Sequence, residues 1–158
     1  MRKIKVVMIT SYFDRNGVTS QVMNYATNLD KDRFQVFIAA GEPYDIGYEK
    51  MCQENNIELC KLPQKQKNAY AYYRTIYSYL KKVKADIVHV HGSSALIAVE
   101  LLIAMLAGVP VRVSHSHNTI CSHPLLHQVL KPILKVVSNY HLACGCLLYT
   151  SPSPRDPK

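Results

Sequence analysis

The sequence predicts an α/β protein with a Rossmann-like, doubly wound and mostly parallel sheet. Three observations point there. Short β-branched runs alternate with stretches of helical period along most of the chain. The clearest unit joins Asp86-Ile87-Val88-His89-Val90-His91-Gly92 to Val111-Arg112-Val113-Ser114-His115-Ser116-His117-Asn118. The nearly apolar stretch between them, Ser93 to Ala107, is long enough for a helical crossover, which should be right-handed. In such sheets ligands bind beyond the carboxyl ends of the strands, where both histidine clusters fall.

Taken in order, Ile4 to Thr10 reads as a first buried strand, uncharged from Val6 onward. Ser11 to Gly17 makes a loop, and its Asn16 and Gly17 are the residue types that most readily take positive φ. A helix follows from about Thr19 to Leu29, with Val18, Val22, Tyr25, Ala26 and Leu29 as one core-facing stripe. Arg33 to Ala40 is a second strand, ended by Gly41-Glu42-Pro43. A short helix, Gly47 to Asn55, leads to a third strand, Ile57 to Leu62, which Pro63 closes. The next helix, Asn68 to Val83, places Ala69, Tyr73, Ile76, Leu80 and Val83 on one side. Its neighbouring face carries Tyr70, Arg74, Tyr77, Lys81 and Lys84.

The crossover helix should be capped by Ser93 or Ser94, whose hydroxyl oxygen can accept an orphan N–H of the first turn. Gly108 supplies a left-handed stop and Pro110 enforces it. A last helix, Leu125 to Val137, precedes a sixth strand from Tyr140 to Cys144.

At 158 residues the chain can bury a real core as one domain. Its net charge of +8 is concentrated. Lys61, Lys65, Lys67, Arg74, Lys81, Lys82 and Lys84 fall in a stretch without one acidic residue. The Tyr70–Lys84 helix therefore has two readings, a peripheral contact with an anionic membrane surface or an ordinary solvated face. No nucleic-acid module is recognisable, so no nucleic-acid partner is expected. The five cysteines form no zinc-type CxxC pair, and their odd number argues against a disulfide framework. Free thiols in a cytoplasmic protein are the simplest account, and the N-terminus lacks a signal-peptide pattern.

The residues from Cys146 to Lys158, CLLYTSPSPRDPK, carry three prolines and no periodicity, as a disordered tail would. They also resemble the translation of a widely used transposon-based sequencing adapter. The expectation is a natural domain over residues 1–145 and an artefactual tail over 146–158, with the gene product continuing beyond Gly145.

Several motifs could carry chemistry. The Asn16-Gly17 loop sits where a doubly wound fold presents backbone N–H groups to phosphate. With one glycine between Ser11 and Gly17 it is no dinucleotide fingerprint, and a plain turn explains it equally. His89 and His91 alternate onto one face of their strand. At the strand end His91 should be the more open of the two, with Gly92 letting a ligand approach the backbone. His89 should be buried against a neighbouring carbonyl. His115 and His117 repeat the arrangement next door. Four such histidines invite a zinc reading, but no carboxylate or cysteine lies at convincing spacing, and no metal is expected. His123 and His127 stand at helical i,i+4 spacing without the glutamate of an HExxH motif.

The ordered set KIKVVMIT, the Asn-Gly loop, DIVHVHG and GVPVRVSHSHN resembles the N-terminal domain of family 4 glycosyltransferases. Within that family it is most similar to bacterial enzymes of capsular and exopolysaccharide synthesis. The resemblance implies half of a GT-B fold, in which two Rossmann-like domains face each other across a cleft. It implies retaining transfer of a sugar from a nucleotide-sugar donor to a glycan or lipid-linked acceptor. No metal or other cofactor is implied, the nucleotide sugar being a substrate. Carried over by position, Asn16 and Gly17 match a Gly-Gly loop that approaches the donor phosphates, and His91 and Gly92 match a cleft-lining strand end. A histidine of the next strand, His117 by preference or His115, matches one that contacts the transferred sugar. Ser116 and Asn118 flank it as substrate-binding candidates. The family's paired glutamates of the donor domain have no counterpart, since no glutamate follows Leu125. The chain is therefore expected to be inactive alone and to work at the inner membrane face. The rival from another class is a non-enzymatic, flavodoxin-like ligand-binding module.

Overall fold

The computed structural model describes residues 2–92, 95–117 and 124–143. The expected serine caps at Ser93 and Ser94, the candidate Asn118, His123, and the tail from 144 onward lie outside the described residues.

Six strands form one sheet in the order β3-β2-β1-β4-β5-β6. They are β1 (Ile4–Thr10), β2 (Phe34–Ala40), β3 (Glu58–Lys61), β4 (Ile87–Gly92), β5 (Val111–Ser116) and β6 (Tyr140–Ala143). Every neighbouring pair is parallel. The helices are α1 (Gly17–Asn28), α2 (Ile46–Glu54), α3 (Ala69–Val83), α4 (Ile97–Leu106) and α5 (Pro124–Val137). This is the doubly wound α/β architecture that alternating strands and helices require.

Strand alternation divides the core into two layers. On one face Val7, Ile9, Phe37, Ala39, Val88 and Val90 meet α3 and α4 through Tyr72, Ile76, Leu80, Ala98 and Leu101. On the other, Val6, Met8, Val36 and Ile38 meet α1 and α2 through Val22, Met23, Ala26 and Cys52. Each fully buried aliphatic side chain here is worth about 1.5–3 kcal/mol of transfer free energy. Cys52 is buried and Cys60 half-buried, both as free thiols. Burial, reinforced by Glu49, pushes the Cys52 thiol up to about 11, so it packs as a small apolar group.

Three expectations need correction. The crossover helix begins at Ile97, two or three residues later than a cap at Ser93 or Ser94 implies, and its N-cap Leu96 makes no side-chain cap bond. On α3 the buried stripe is Tyr72, Ile76, Tyr79, Leu80 and Val83, while Ala69 is exposed at the first turn. On α1, Tyr25 is 38% exposed where a core position was expected. Gly108 behaves as expected, with φ +82° after α4.

One charge of the apolar crossover is buried as well. Glu100, only 3% exposed, accepts a 2.7 Å bond from Lys65 Nζ in the loop before α3. The ammonium also lies 5.4 Å from the centre of the Tyr72 ring and 5.2 Å from that of Tyr73. Burial works to lower the Lys65 pKa, but the Glu100 carboxylate more than offsets it and the lysine stays charged.

Candidate functional site

The carboxyl ends of β1 and β4 open into a cleft of about 480 Å3. Its walls include Thr10, Ser11 and Tyr12 after β1, Asn16, Gly17, Val18 and Gln21 at the start of α1, and His91, Gly92 and His117. A larger groove, about 630 Å3, runs along α3 beside Cys60, Arg74, Tyr79 and Lys82, and its described lining holds no imidazole or carboxylate. The smaller cleft is the better candidate because backbone N–H groups and imidazoles converge there.

Asn16 earns its position as a cap. Its side-chain oxygen accepts from Thr19 N at 2.8 Å and its amide nitrogen donates to Asp14 Oδ1, so the side chain is committed to the loop itself. Asn16 has φ −135°, and Gly17 is not at positive φ either. The expected use of left-handed backbone is therefore overturned, because side-chain capping alone starts the helix. Gly17 matters through space. A Cβ there would meet no protein atom within 4 Å, which leaves the amino end of α1 open to the cleft. Gly92 is glycine for another reason, since a Cβ would lie 2.4 Å from Ile97 Cγ2. Packing of α4 against the strand end requires it.

The four strand histidines share the α1 side of the sheet. His89 Nε2 lies 3.1 Å from His115 Nδ1, and His91 Nδ1 lies 3.0 Å from His117 Nε2. The rings of His89 and His115 stack within 4° of parallel, and those of His115 and His117 within 21°. Tyr25 of α1 covers the group, its ring centre 5.8 to 6.2 Å from those of His89, His91 and His115. The exposures are the reverse of those expected: His91 is 1% exposed and His89 9%. His89 is bonded to an imidazole where a carbonyl was expected.

Desolvation lowers every one of these pKa values, and repulsion from neighbouring imidazoles adds to it at His89, His91 and His115. His89 falls to about 3, with His115 and His117 as the secondary cause. His115 falls to about 4, with His117 secondary. His91 is driven down furthest by burial and then by its three neighbours, and burial lowers His117 as well. All four are neutral near pH 7.

The structure thus brings Asn16, Gly17, His91, Gly92 and His117 to one cleft. The backbone N–H of His117 donates to Gly92 O at 3.0 Å, extending the β4–β5 pairing one residue past Ser116 and holding that histidine at the rim. His115, 2% exposed, lies beneath the cleft beside His89. Ser116 does not line the cleft, and strand alternation sets it on the opposite face from the imidazoles. Thr10, Gln21 and Tyr25 were missed. The i,i+4 spacing of Gln21 and Tyr25 beside the buried Val22 and Ala26 is the signal that could have placed them at the edge of the core stripe. As a chemical device the cleft offers hydroxyls, an open helix N-terminus and neutral imidazoles, a set suited to a polyhydroxylated or anionic ligand.

The sequence model of glycosyltransferase family 4 matches residues 15–156. EpsF of Bacillus subtilis (strain 168), a protein named as a glycosyltransferase, is 30% identical over 119 residues, which cover 73% of this chain and 30% of EpsF. The chain thus spans about a third of that relative's length. Among solved structures, Acinetobacter baumannii MurG superposes with a TM-score of 0.68 at 15% identity, covering 94% of this chain and 43% of MurG. Anabaena HepE, crystallised with UDP and glucose, gives 0.59 at 11% identity, covering 86% of this chain and 36% of HepE. These structural likenesses establish the fold, a Rossmann-like unit matching part of such proteins. With the family match over most of its length, the chain belongs to glycosyltransferase family 4.

Proposed function

We propose that this domain is the acceptor-side half of a retaining glycosyltransferase that moves a sugar from a nucleotide-sugar donor to a glycan or lipid-linked acceptor in polysaccharide synthesis. The observation that carries the reading is the cleft itself, where Gly17 leaves the α1 N-terminus open opposite His91 and His117. The macrodipole and free N–H groups of that helix end favour a donor phosphate. The His117 imidazole, neutral and at the rim, can accept from or donate to a sugar hydroxyl and stabilise charge developing at the transferred ring. HepE's UDP and glucose support this ligand class, and EpsF, named as a glycosyltransferase, supports the transfer chemistry.

A second Rossmann-like domain would hold most of the nucleotide, so the 158-residue chain alone is expected to show no transfer. The test is UDP release and product formation across a panel of nucleotide sugars. A protein that joins this domain to a donor-binding domain should transfer at least one sugar, and His117→Ala in it should lower kcat by about 100-fold or more. A binding module would show neither transfer nor donor hydrolysis in that two-domain form.

The basic helix supports peripheral membrane contact. Tyr70 is 75% and Tyr77 39% exposed, beside exposed Arg74, Lys81, Lys82 and Lys84. No helix among the described residues is long and apolar enough to cross a membrane. Flotation with anionic vesicles should fall when Lys81, Lys82 and Lys84 are changed to glutamine, each cation near the surface contributing about 1 kcal/mol.

A further inference from the structure

Sugar contact needs at most the imidazoles that reach the cleft, His91 and His117. It leaves His89 and His115 unexplained, although each is buried at a cost that an apolar residue would avoid. One nitrogen of each of His89, His91 and His115 can be chosen so that all three lie within 4.8 Å of one another. His91 Nε2 is buried and has no hydrogen-bond partner, while its Nδ1 is held by His117.

We propose that His89, His91 and His115 form a buried binding site for a first-row divalent transition-metal ion of the zinc class. Three points favour that occupant. Imidazole nitrogens suit zinc-like ions, whereas magnesium and calcium prefer oxygen, and among the described residues no carboxylate joins this set. Zinc–nitrogen distances of about 2.0–2.1 Å put tetrahedral donors about 3.4 Å apart, so the rings need to close by roughly an ångström. Lastly, a ligating histidine characteristically commits its other ring nitrogen to a second partner, as His91 does to His117. His91 also lines the cleft, which gives the ion a way in and leaves a fourth position for water or for an anionic ligand entering there.

The test uses metal alone. The chain is stripped with chelator and titrated with Co2+, read by visible d–d absorption, then back-titrated with Zn2+. One equivalent should bind, and Zn2+ should displace it. Changes in outer partners alone cost about 10- to 100-fold in affinity, so His91→Leu should weaken binding by at least that much. His141→Gln, on the β6 edge, should leave it unchanged. X-ray absorption of the zinc-loaded wild-type chain gives an answer even if His91→Leu fails to fold: three imidazoles and no sulfur are expected. Failure to bind one equivalent, sulfur ligands from the cysteines, or unchanged affinity in folded His91→Leu would each overturn the site. None of these outcomes touches the transferase reading, because no sugar donor is present.

Discussion

Strand β4 presents two different interiors on its two faces. Val88 and Val90 point into the apolar layer under α3 and α4, while His89 and His91 point into a layer of imidazoles under α1. Both are buried to a similar degree, so burial alone does not distinguish them. Energetically they are opposites. The valines gain transfer free energy. The imidazoles give up hydration, hold each other by two hydrogen bonds, and leave one nitrogen without a partner. One face holds the sheet together, and the other spends part of that stability to keep polar groups beside the cleft.

The comparison can be tested by substitution and by pH. Among single substitutions at neutral pH, truncating the apolar face should cost most: Leu101→Ala, at a fully buried position, should lose about 3 kcal/mol in denaturant unfolding. Gly92→Ala should cost about 2 kcal/mol, because its Cβ would collide with Ile97 on that same face. The imidazole face should instead show itself through pH. Its histidines have folded pKa values below the ordinary 6.5, so the unfolded chain takes up protons first as pH falls. Stability should therefore be full above about pH 6.5 and decline towards pH 4, by up to about 1.4 kcal/mol per pH unit for each histidine still neutral in the fold. Thermal melts from pH 7 to pH 4.5 would measure this, and the double change His89→Leu with His115→Leu should flatten the slope. A pH-independent Tm would show that the imidazoles are not buried as described. The smallest stability effect belongs to Gly17→Ala, within about 0.5 kcal/mol because nothing fills the space around it. If the proposed transfer holds, the same change in a two-domain form carrying this domain should raise KM for the donor while leaving the fold intact, since the added methyl narrows the helix end.

The strands were legible because β-branched runs of five to seven residues bounded by Gly, Pro and Asn have few other uses in a chain of this size. Helix starts were less so. Ser93 and Ser94 looked like caps, yet α4 starts at Ile97, because a serine's capping chemistry does not say which turn the tertiary packing will accept. His91 was expected to be open because it ends a strand. It is packed against His115 and His117 of the next strand and Tyr25 of a helix more than sixty residues earlier, and no local pattern encodes those approaches. The positive-φ expectation at Asn16 failed for a similar reason. The residue type permits two devices, capping and left-handed backbone, and only the neighbouring Thr19 N–H decides between them. The choice of His117 for the rim over His115 came down to one residue of register, which the β4–β5 pairing supplies and the sequence does not.

The two imidazole pairs also constrain where protons can sit. In each pair only one of the facing nitrogens can carry hydrogen while both rings are neutral, so the tautomer of one ring dictates that of the other. If His91 donates from Nδ1, His117 must carry its own proton on Nδ1, and His91 Nε2 is left as a bare lone pair. If His117 donates from Nε2 instead, His91 Nε2 becomes a buried N–H with nothing to receive it. The first arrangement strands an acceptor and the second a donor. A ligand that brings either a Lewis acid or a hydrogen-bond acceptor to that nitrogen would select one arrangement and set both rings at once. Ring nitrogen chemical shifts of His91 and His117 should therefore move together, as a single two-state element.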